Sequence, residues 1–509
     1  MSQRGDLVIV WGRNPKETNL HLYNLLTRAQ KKGTPIFVVD PVETPTAQRF
    51  DTHVKIRPGT DGALALAMAH VLIDRNLTDP PFIRDHVKGF KRFEQKVTPF
   101  TPAFVQKITG VPQKTIQDLA LAYGRAKAPC IYIGYGMQRY ENGGNAVRCI
   151  NALAAVSGHM ARPGAGVNYA SKSLAPYLSC VEEKSESAVT TQRFFPAPQL
   201  GSFLAEAKTP PLQMVFFSWA NPLVQTPDLN LAIQGFSKIP FKVVIDHFLT
   251  DTARAADLIL PGATVFEQDD IFATSMYSHI LNYSQKALDP PKTLMPEFEF
   301  YLALSKHMGM DLGVLSSRDF LEQCAAPLID QLRTEREFSD MEFKDLPFAY
   351  TRIQSHDIAW KEKQFLTPSG RVEIYSERAE ADGLSPLPEF ISPLIPPQNF
   401  PLRLLTCHCK NAMHSQGFME NQKIPTVHIH SKTAARFKLN SGDKVAVKGE
   451  NGQIEAVVEC DDAVYENTVF IYQGFWHKSG AVNFLTRERL TDMGHQAAYY
   501  DNFCALTPV

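Results

Sequence analysis

The sequence predicts an α/β protein in which two related α/β units are followed by a C-terminal β-barrel. Three features of its 509 residues favour this fold: a strand–helix–strand pattern that occurs twice, a proline-rich linker at 386–401, and a series of short strands after the linker. We place the first unit at residues 1–150, the second unit with an additional helical segment at 151–395, and the barrel at 396–509.

The first unit begins with an apolar run at residues 7–11, which is typical of a buried parallel strand. A polar turn at 12–15 follows, and apolar residues at helical spacing then occupy 22–29. A second apolar run at 36–39 ends at Asp40. This order predicts one strand–helix–strand unit.

A second copy of the pattern starts at residues 214–217 and ends at Asp246. From Asn14 to Asp40 there are 26 positions, and from Asn221 to Asp246 there are 25. In both copies another aspartate follows 11 positions later, at Asp51 and Asp257, and a Pro-Gly pair comes next, at 58–59 and 261–262. A single Asn-Pro pair is more often only a turn, but the repeated spacing indicates a duplicated unit.

The duplicated unit predicts two nucleotide sites, because open α/β sheets bind ligands at the carboxyl ends of their strands. Backbone N–H groups at the helix start can bind pyrophosphate, and Asp40 or Asp246 can accept hydrogen bonds from ribose hydroxyls. Asp61 or Asp257 could accept from the ring and exocyclic N–H groups of guanine. An ordinary nicotinamide dehydrogenase is disfavoured, since no Gly-x-Gly-x-x-Gly follows Val10.

The composition favours a small-molecule substrate. The chain has 52 Lys+Arg against 53 Asp+Glu and a formal net charge of -1, so it lacks the excess of basic residues expected for binding nucleic acid or an anionic membrane. It contains no apolar run of the roughly 20 residues that a membrane span requires and no signal-peptide pattern at its start. We therefore expect a cytoplasmic protein with no membrane span and no nucleic-acid partner.

The C-terminal barrel is predicted from short strands near 403–407, 426–430, 444–447 and 454–458, with turns between several of them. Cys407, His408, Cys409 and His414 could suggest a zinc or copper site. Along a strand, however, Cys407 and Cys409 share one face and His408 takes the other, so we predict no metal ligand there. The runs 414–417 and 483–494 could line a cleft instead.

Arg148 lies near the start of a predicted helix at 147–156. Most arginines in this position are solvated or ion-paired, and the functional alternative is a cation that faces an anionic substrate or cofactor. The spacing of the residues alone favours the structural role.

Several motifs together resemble the molybdopterin oxidoreductases that carry bis(molybdopterin guanine dinucleotide), the superfamily of dimethyl sulfoxide reductase, formate dehydrogenase and periplasmic nitrate reductase. The resemblance covers nearly the whole chain. Its motifs are Trp11-Gly12-Arg13-Asn14-Pro15, Val39-Asp40-Pro41, Arg57-Pro58-Gly59-Thr60-Asp61, Trp219-Ala220-Asn221-Pro222, Ala256-Asp257-Leu258-Ile259-Leu260-Pro261 and Asn483.

The resemblance implies a double-psi type of barrel and a set of cofactor contacts. For the first guanosine arm these are Trp11, Gly12, Asn14, Pro15, Thr18, Asp40, Pro41, Gly59, Thr60 and Asp61. For the second arm they are Asn221, Asp246 and Gln268, to which Asp257 is added from the duplicated pattern, and Met137 and Gln138 lie by the pterins. In the barrel they are Thr406, His408, His414, Ser415, Phe475, Asn483 and Tyr500. Arg148 falls where formate dehydrogenases place an arginine beside the metal, which implies a catalytic role.

The chain departs from the family pattern at its start. The family begins with a cysteine-rich segment for a 4Fe-4S cluster, and the serine, cysteine, selenocysteine or aspartate that binds molybdenum lies shortly before the first unit. Met1 is only five positions before Asp6, so we expect neither group within these residues. The alternatives are a second polypeptide that carries the front part, a degenerate fragment, and an upstream selenocysteine codon read as a stop.

The leading functional hypothesis is a molybdopterin-dependent oxidoreductase that exchanges two electrons with a small substrate and with an outside electron-transfer partner or subunit. A second hypothesis is a non-catalytic cofactor-binding subunit or degenerate fragment. A third is a nucleotide-binding enzyme unrelated to molybdenum, such as a thiamine-diphosphate or nicotinamide enzyme, which the barrel disfavours. The substrate stays open among formate, an oxyanion and a sulfur compound.

Overall fold

The computed structural model describes residues 5–170, 193–273, 280–334, 339–348, 351–352, 358–408, 410–416 and 424–509. Within them the strands are β1 Leu7–Trp11, β2 Ile36–Asp40, β3 Thr52–Lys55, β4 Val87–Lys88, β5 Pro129–Ile133, β6 Gly166–Asn168, β7 Met214–Ser218, β8 Phe241–Asp246, β9 Leu258–Pro261, β10 Asp270–Ala273, β11 Ile280–Ser284, β12 Thr351–Arg352, β13 Val372–Glu373, β14 Leu402–Cys407, β15 Thr426–Ile429, β16 Lys444–Gly449, β17 Gln453–Cys460, β18 Thr468–Tyr472 and β19 Asn502–Pro508.

The α-helices of the described residues are α1 Pro15–Thr18, α2 Leu20–Lys31, α3 Asp61–Asp74, α4 Pro80–His86, α5 Phe90–Val97, α6 Pro102–Thr109, α7 Gln113–Arg125, α8 Gly143–Val156, α9 Leu200–Glu206, α10 Pro222–Gln225, α11 Leu229–Ser237, α12 Asp251–Arg254, α13 Glu297–His307, α14 Ser317–Arg333, α15 Glu377–Ala381 and α16 Ser431–Arg436. None of them is long and apolar enough to cross a lipid bilayer.

The first unit is built on a parallel sheet with the strand order β3-β2-β1-β5-β6. β1 is buried on both faces, because Val8 and Val10 pack with α2 while Ile9 and Trp11 pack with α3. This explains why its sequence is a continuous apolar run and not an alternating one. The parallel register brings the ends of β1, β2 and β5 to one edge of the sheet.

The first unit extends past the predicted boundary at residue 150. That boundary falls inside α8, and β6 pairs with β5 to complete the sheet. A later segment also returns to this unit, since β13 pairs with β4 and Ile374 is buried in the same hydrophobic core. Pairings between distant segments of the chain therefore set the extent of the unit.

The second unit contains the parallel sheet β7-β8-β9, with helices α9 and α11 packed through Leu204, Ala232 and Phe236. The short antiparallel sheet β10-β11-β12 follows it. The last unit is a closed barrel in the order β14-β18-β15-β17-β16-β19 around an apolar core. The predicted fold class, two α/β units with a C-terminal β-barrel, is confirmed.

Candidate functional site

Each α/β unit has the same kind of hydrogen-bonded turn at the carboxyl edge of its sheet. Asn14 precedes α1 with φ −116° and ψ 72°, and Asn221 precedes α10 with φ −118° and ψ 65°. The Asn14 Oδ1 accepts a hydrogen bond from Thr46 Oγ1 at 2.6 Å, and the Asn221 Oδ1 accepts one from Thr252 Oγ1 at 2.7 Å. Each threonine hydroxyl also accepts from the backbone N–H two residues after the asparagine, at 3.1 Å in both units.

The aspartates that end the second strand of each unit are also equivalent. The Asp40 Oδ1 accepts from the Val42 N–H at 3.0 Å, and the Asp246 Oδ1 accepts from the Phe248 N–H at 3.3 Å. Both contacts turn the chain at the carboxyl end of a parallel strand. The duplication seen in the sequence therefore extends to individual hydrogen bonds.

Asp257 has a structural role, contrary to our expectation of a nucleotide contact. Its Oδ2 accepts from the Lys242 backbone N–H at 2.8 Å and forms an ion pair with the Lys242 side chain at 2.8 Å. Asp51 makes the equivalent backbone contact in the first unit, where its Oδ2 accepts from the Ile36 N–H at 2.9 Å. These contacts lie at the amino ends of β8 and β2, on the edge opposite to the one where parallel sheets bind ligands.

A cavity of about 870 Å³ lies between the carboxyl edge of the first sheet and the barrel. We call it the cofactor cavity. Its volume is within the range of small-molecule sites. The predicted cofactor contacts that line it are Gly12, Asn14, Thr18, Asp40, Pro41, Asp61, Met137, His408, His414 and Tyr500.

Two buried carboxyl groups face the cofactor cavity. The Trp11 Nε1–H donates to the Asp61 Oδ1 at 2.8 Å. Burial raises the pKa of Asp61 to about 6, although the Trp11 hydrogen bond opposes the shift. Burial raises the pKa of Asp40 to about 7, and the nearby Asp61 adds to the increase. A ligand that offers N–H or O–H donors would supply the hydrogen bonds that ionised carboxylates lack here.

Gly12 allows the close packing that forms the cavity floor. Its φ is +60°, and a Cβ added there would lie 3.1 Å from the Sδ of the buried Met137. The equivalent residue of the second unit, Trp219, has the same left-handed backbone with φ +54°. The repeat therefore conserves the backbone turn while its side chain differs.

The sequence interpretation missed some charged and aromatic groups of the cavity, among them Arg139, Tyr140 and Lys410. The Arg139 guanidinium lies over the Tyr499 ring, 5.1 Å from its centroid. Arg139 directly follows Met137 and Gln138, which the resemblance assigns to the pterins. A cation in that loop was the sequence signal that could have identified it. Arg139 and Lys410 add positive charge to a lining that carries Glu17, Glu43 and Asp461 besides the two buried carboxyl groups.

His408 and His414 lie together, with their ring centroids 4.8 Å apart. Burial lowers the pKa of His408 to about 4, and the neighbouring His414 and Arg139 act in the same direction. The Gln473 Nε2 is 2.6 Å from the His408 Nδ1. Neutral imidazoles present both a donor and an acceptor, which suits the polar edge of a heterocyclic ligand.

Several predicted contacts lie outside the cavity lining. Trp11 donates a hydrogen bond to Asp61 and does not itself line the cavity, and Pro15 is buried as the first residue of α1. Thr60 donates to the Arg57 carbonyl at 2.7 Å, and Gln138 accepts a hydrogen bond from the Tyr169 hydroxyl.

Gly59 and Thr406 face away from the cofactor cavity. Gly59 has φ +79°, and a Cβ there would lie 2.8 Å from the Pro393 Cβ, so it faces the linker. Along β14, Leu405 and Cys407 line the cavity, whereas Thr406 alternates onto the face of Leu404. A cofactor contact of these two residues stays a prediction.

Arg148 holds the linker and is not among the residues that line the cofactor cavity. We call residues 385–401 the strap. The Arg148 guanidinium donates to the Ser385 carbonyl at 2.7 Å and to the Pro386 carbonyl at 2.8 Å. It also donates to the Asn145 Oδ1 at 3.3 Å. These contacts give Arg148 a structural role, and its catalytic role stays a prediction.

In the second unit, three predicted contacts come together where the barrel meets α10. The Asn221 Nδ2 donates to the Ser415 Oγ at 3.4 Å, and the Gln225 Nε2 donates to the same hydroxyl at 3.0 Å. The Asn483 Nδ2 donates to the Val224 and Gln225 carbonyls at 3.2 and 2.9 Å. The barrel therefore covers the second turn as well as the first.

Among the residues that the structure describes, the others predicted in the second half of the chain make no hydrogen bond that defines a role. Gln268 and Phe475 are half-buried in the loops after β9 and β18. Cys409 and residue 417 lie outside the described residues. In the part of the chain that is described, no group of three or more His, Cys, Asp or Glu side chains is placed to hold a metal ion.

Two protein-family profiles match the chain. The profile described as "Molybdopterin oxidoreductase" matches residues 3–307, and the one described as "Molydopterin dinucleotide binding domain" matches residues 402–504. The chain belongs to the molybdopterin oxidoreductase family. The predicted resemblance is confirmed, and the cofactor of this molybdopterin oxidoreductase is of the molybdenum–pterin class.

Individual relatives agree with this assignment. The molybdopterin oxidoreductase is 33% identical to the "Probable oxidoreductase YyaE" of Bacillus subtilis (strain 168), over 97% of this chain and 74% of the relative. It is 25% identical to the "F420-dependent formate dehydrogenase 1 subunit alpha" of Methanococcus maripaludis, over 94% of this chain and 73% of the relative. The solved acetylene hydratase from Pelobacter acetylenicus has the same fold, with a TM-score of 0.78 at 22% identity, and the match covers 99% of this chain and 78% of that one.

Proposed function

We propose that this molybdopterin oxidoreductase binds bis(molybdopterin guanine dinucleotide), with one nucleotide arm in each α/β unit, and oxidises or reduces a small molecule by two electrons. The duplicated turn at Asn14 and Asn221 carries the proposal, because two copies of one ligand fragment need two equivalent binding turns. When bound, the cofactor supplies the two-electron redox centre.

The residues of the cofactor cavity match the chemistry of one arm. An ionised Asp61 can accept from the N–H groups of guanine while Trp11 fixes its orientation. Asp40, at the end of β2, can accept from ribose hydroxyls. Arg139 and Lys410 offer cationic donors to phosphate oxygens. The cavity thus provides partners for the base, the sugar and the phosphates.

The electrons would pass to an outside redox partner. The proposal is supported by the formate dehydrogenase relative, which is named as a subunit of a larger enzyme. The substrate would be a small molecule, since the chain carries no excess of basic charge for a polyanionic partner.

The proposal is tested by expressing the protein in a host with intact molybdenum cofactor synthesis. Molybdenum is measured by elemental mass spectrometry, and GMP is measured after acid hydrolysis of the purified protein. We expect two GMP for each molybdenum. Molybdenum without GMP would contradict the dinucleotide form, and the absence of both would contradict the redox function.

The variant Asp61→Asn should lose much of the first arm's affinity. Its amide Oδ1 can still accept from Trp11, but its NH2 group would face the guanine donors. Retention of cofactor during dialysis should fall about tenfold, as for loss of a hydrogen bond to a charged group. The matched control Asp257→Asn lies at the opposite edge of its sheet and should retain cofactor as the wild type does.

A further inference from the structure

A second cleft of about 1400 Å³ lies on the other side of the loop 57–61 from the cofactor cavity. Its walls come from the end of β3, from α6, from the strap and from α16. Asp61 faces the cofactor cavity while Thr60 lines this second cleft, so the loop separates the two spaces. The five cationic residues of its lining are Lys55, Arg57, Lys107, Arg403 and Arg436, and the one carboxylate is Glu466.

The charge of the second cleft is only partly neutralised. Glu466 forms an ion pair with Lys432 at 2.9 Å, so it is already balanced by a residue outside the lining. Arg403 forms a buried ion pair with Asp501. These two lining residues therefore contribute little net charge to the cleft.

Two of the other cations, Arg57 and Arg436, bind uncharged acceptors. The Arg57 guanidinium donates to the Ile108 carbonyl at 2.8 Å, and the Arg436 guanidinium donates to the Asn467 Oδ1. These contacts hold the guanidinium groups in place without cancelling their charge. Lys107 is exposed on α6. The Arg57 guanidinium also donates to the Lys107 carbonyl at 3.4 Å, so Arg57 and Lys107 lie together against α6 and form the positive end of the cleft.

Lys55 also donates to an uncharged acceptor, the Asp462 carbonyl at 2.7 Å, but acidic side chains surround it. Glu43, Asp461 and Asp462 lie near this ammonium group. An anion is therefore favoured beside Arg57 and Lys107 and not beside Lys55.

An aromatic surface adjoins the positive end. Phe104 is 46% exposed and lies one helical turn before Lys107, so its ring and the ammonium group share one face of α6. Phe100 packs against Phe104 edge-on, with ring centroids 6.1 Å apart. An exposed phenylalanine beside a cation suits a flat aromatic ligand that carries a negative charge.

We propose that the second cleft binds a small aromatic anion of the nucleoside monophosphate class. Its phosphate would lie between Arg57 and Lys107, and its base would pack on Phe104. This site is separate from the proposed cofactor function, because its residues belong to the cleft and not to the cofactor cavity.

The test is calorimetric titration of the cofactor-loaded protein with AMP. Lys107→Glu should weaken AMP binding at least tenfold, because it replaces a phosphate-binding cation with a like charge. Lys91→Glu, an equal charge change on the exposed face of α5, should leave it unchanged. Equal AMP affinity in the wild type and in Lys107→Glu, or no saturable binding at all, would overturn the proposal.

Phe104→Ala separates recognition of the base from recognition of charge. It should weaken AMP binding about tenfold and leave the binding of inorganic pyrophosphate unchanged. If both ligands weakened equally, the aromatic part of the proposal would be wrong. Because the measurement is AMP binding, it can fail while the molybdenum and GMP contents agree with the proposed function, and the reverse is also possible.

Discussion

Asp40 and Asp61 are carboxyl groups buried at one edge of a sheet, where water does not stabilise their charge. Burial raises the pKa of Asp40 to about 7 and that of Asp61 to about 6, from an ordinary value of 3.8. A ligand that donates hydrogen bonds favours the ionised form. Binding of such a ligand should therefore release protons near neutral pH.

The raised pKa values predict how the stability of the cofactor-free protein depends on pH. A carboxyl group with a higher pKa in the folded state stabilises that state below its unfolded pKa, and this stabilisation is lost as the pH rises through the folded pKa. The urea concentration at the unfolding midpoint should therefore decrease as the pH rises from about 4 to about 7.

Asp40→Asn should flatten this dependence by roughly 2–4 kcal/mol across the interval, because its side chain stays neutral. The measurement is urea unfolding at a series of pH values. Asp51→Asn is the control, since its carboxylate is exposed and also accepts a backbone N–H. A profile for Asp40→Asn parallel to that of the wild type would contradict the assignment.

The strand–turn–helix of each unit depends on one threonine that is fully buried. Thr46 and Thr252 each join an asparagine side chain to the backbone of the following helix. Replacing either by valine keeps the shape but removes the acceptor of the backbone N–H of Lys16 or Leu223. The Asn14 Oδ1 also loses the Thr46 hydroxyl, whereas the Asn221 Oδ1 keeps the Thr252 backbone N–H at 3.2 Å. Each substitution should lower the free energy of unfolding by about 1–3 kcal/mol.

Because the two threonines lie in different units, the losses in Thr46→Val and Thr252→Val should add to within about 0.5 kcal/mol in the double variant. Chemical denaturation of both single variants and the double variant measures this. A loss in one unit and none in the other would show that the turns are not equivalent in energy.

The strap is held against the first unit by α8. Arg148→Ala removes hydrogen bonds to the Ser385 and Pro386 carbonyls and should lower stability by about 2–3 kcal/mol. The strap should also become more susceptible to limited proteolysis. Arg75→Ala, an exposed arginine beside Asp74, is the control. Lost turnover with unchanged cofactor content, stability and proteolysis would support the catalytic interpretation.

Two carboxylates of the C-terminal unit, Asp492 and Asp501, accept hydrogen bonds from backbone N–H groups of the first unit. The Asp492 Oδ1 accepts from the Gly144 N–H at 2.7 Å, and its Oδ2 accepts from the Asn145 N–H at 3.0 Å, which caps the start of α8. Asp501 accepts from the Glu141 N–H at 2.7 Å. These contacts hold the barrel over the cofactor cavity.

Asp492→Ala should therefore act on the whole molecule. We expect faster amide hydrogen exchange at residues 141–145 and lower stability by about 1–2 kcal/mol. Cofactor should also be released sooner, since the barrel covers the cavity. Asp443→Ala, in an exposed turn within the barrel, is the control. Unchanged exchange at 141–145 would show that the cap does not hold the barrel in place.

The sequence alone predicted the strands β1, β2, β7 and β8, the duplication and the barrel, because these depend on local patterns. Buried parallel strands require continuous apolar runs, and a duplicated turn repeats its spacing. Asn14 and Asp40 were predicted as site residues for the same reason, since they follow predicted strands, and Asp61 was predicted from the Pro-Gly pair that precedes it.

Only the tertiary structure decided the roles of Arg148, Asp257 and Asp492. The partners of Arg148 are 237 and 238 positions away, and Asp492 caps a helix 348 positions earlier. Asp257 has the spacing of a ligand contact but lies at the amino end of its strand. Such roles depend on which surfaces meet when the chain folds. The spacing of residues along the chain does not show which distant segments come into contact.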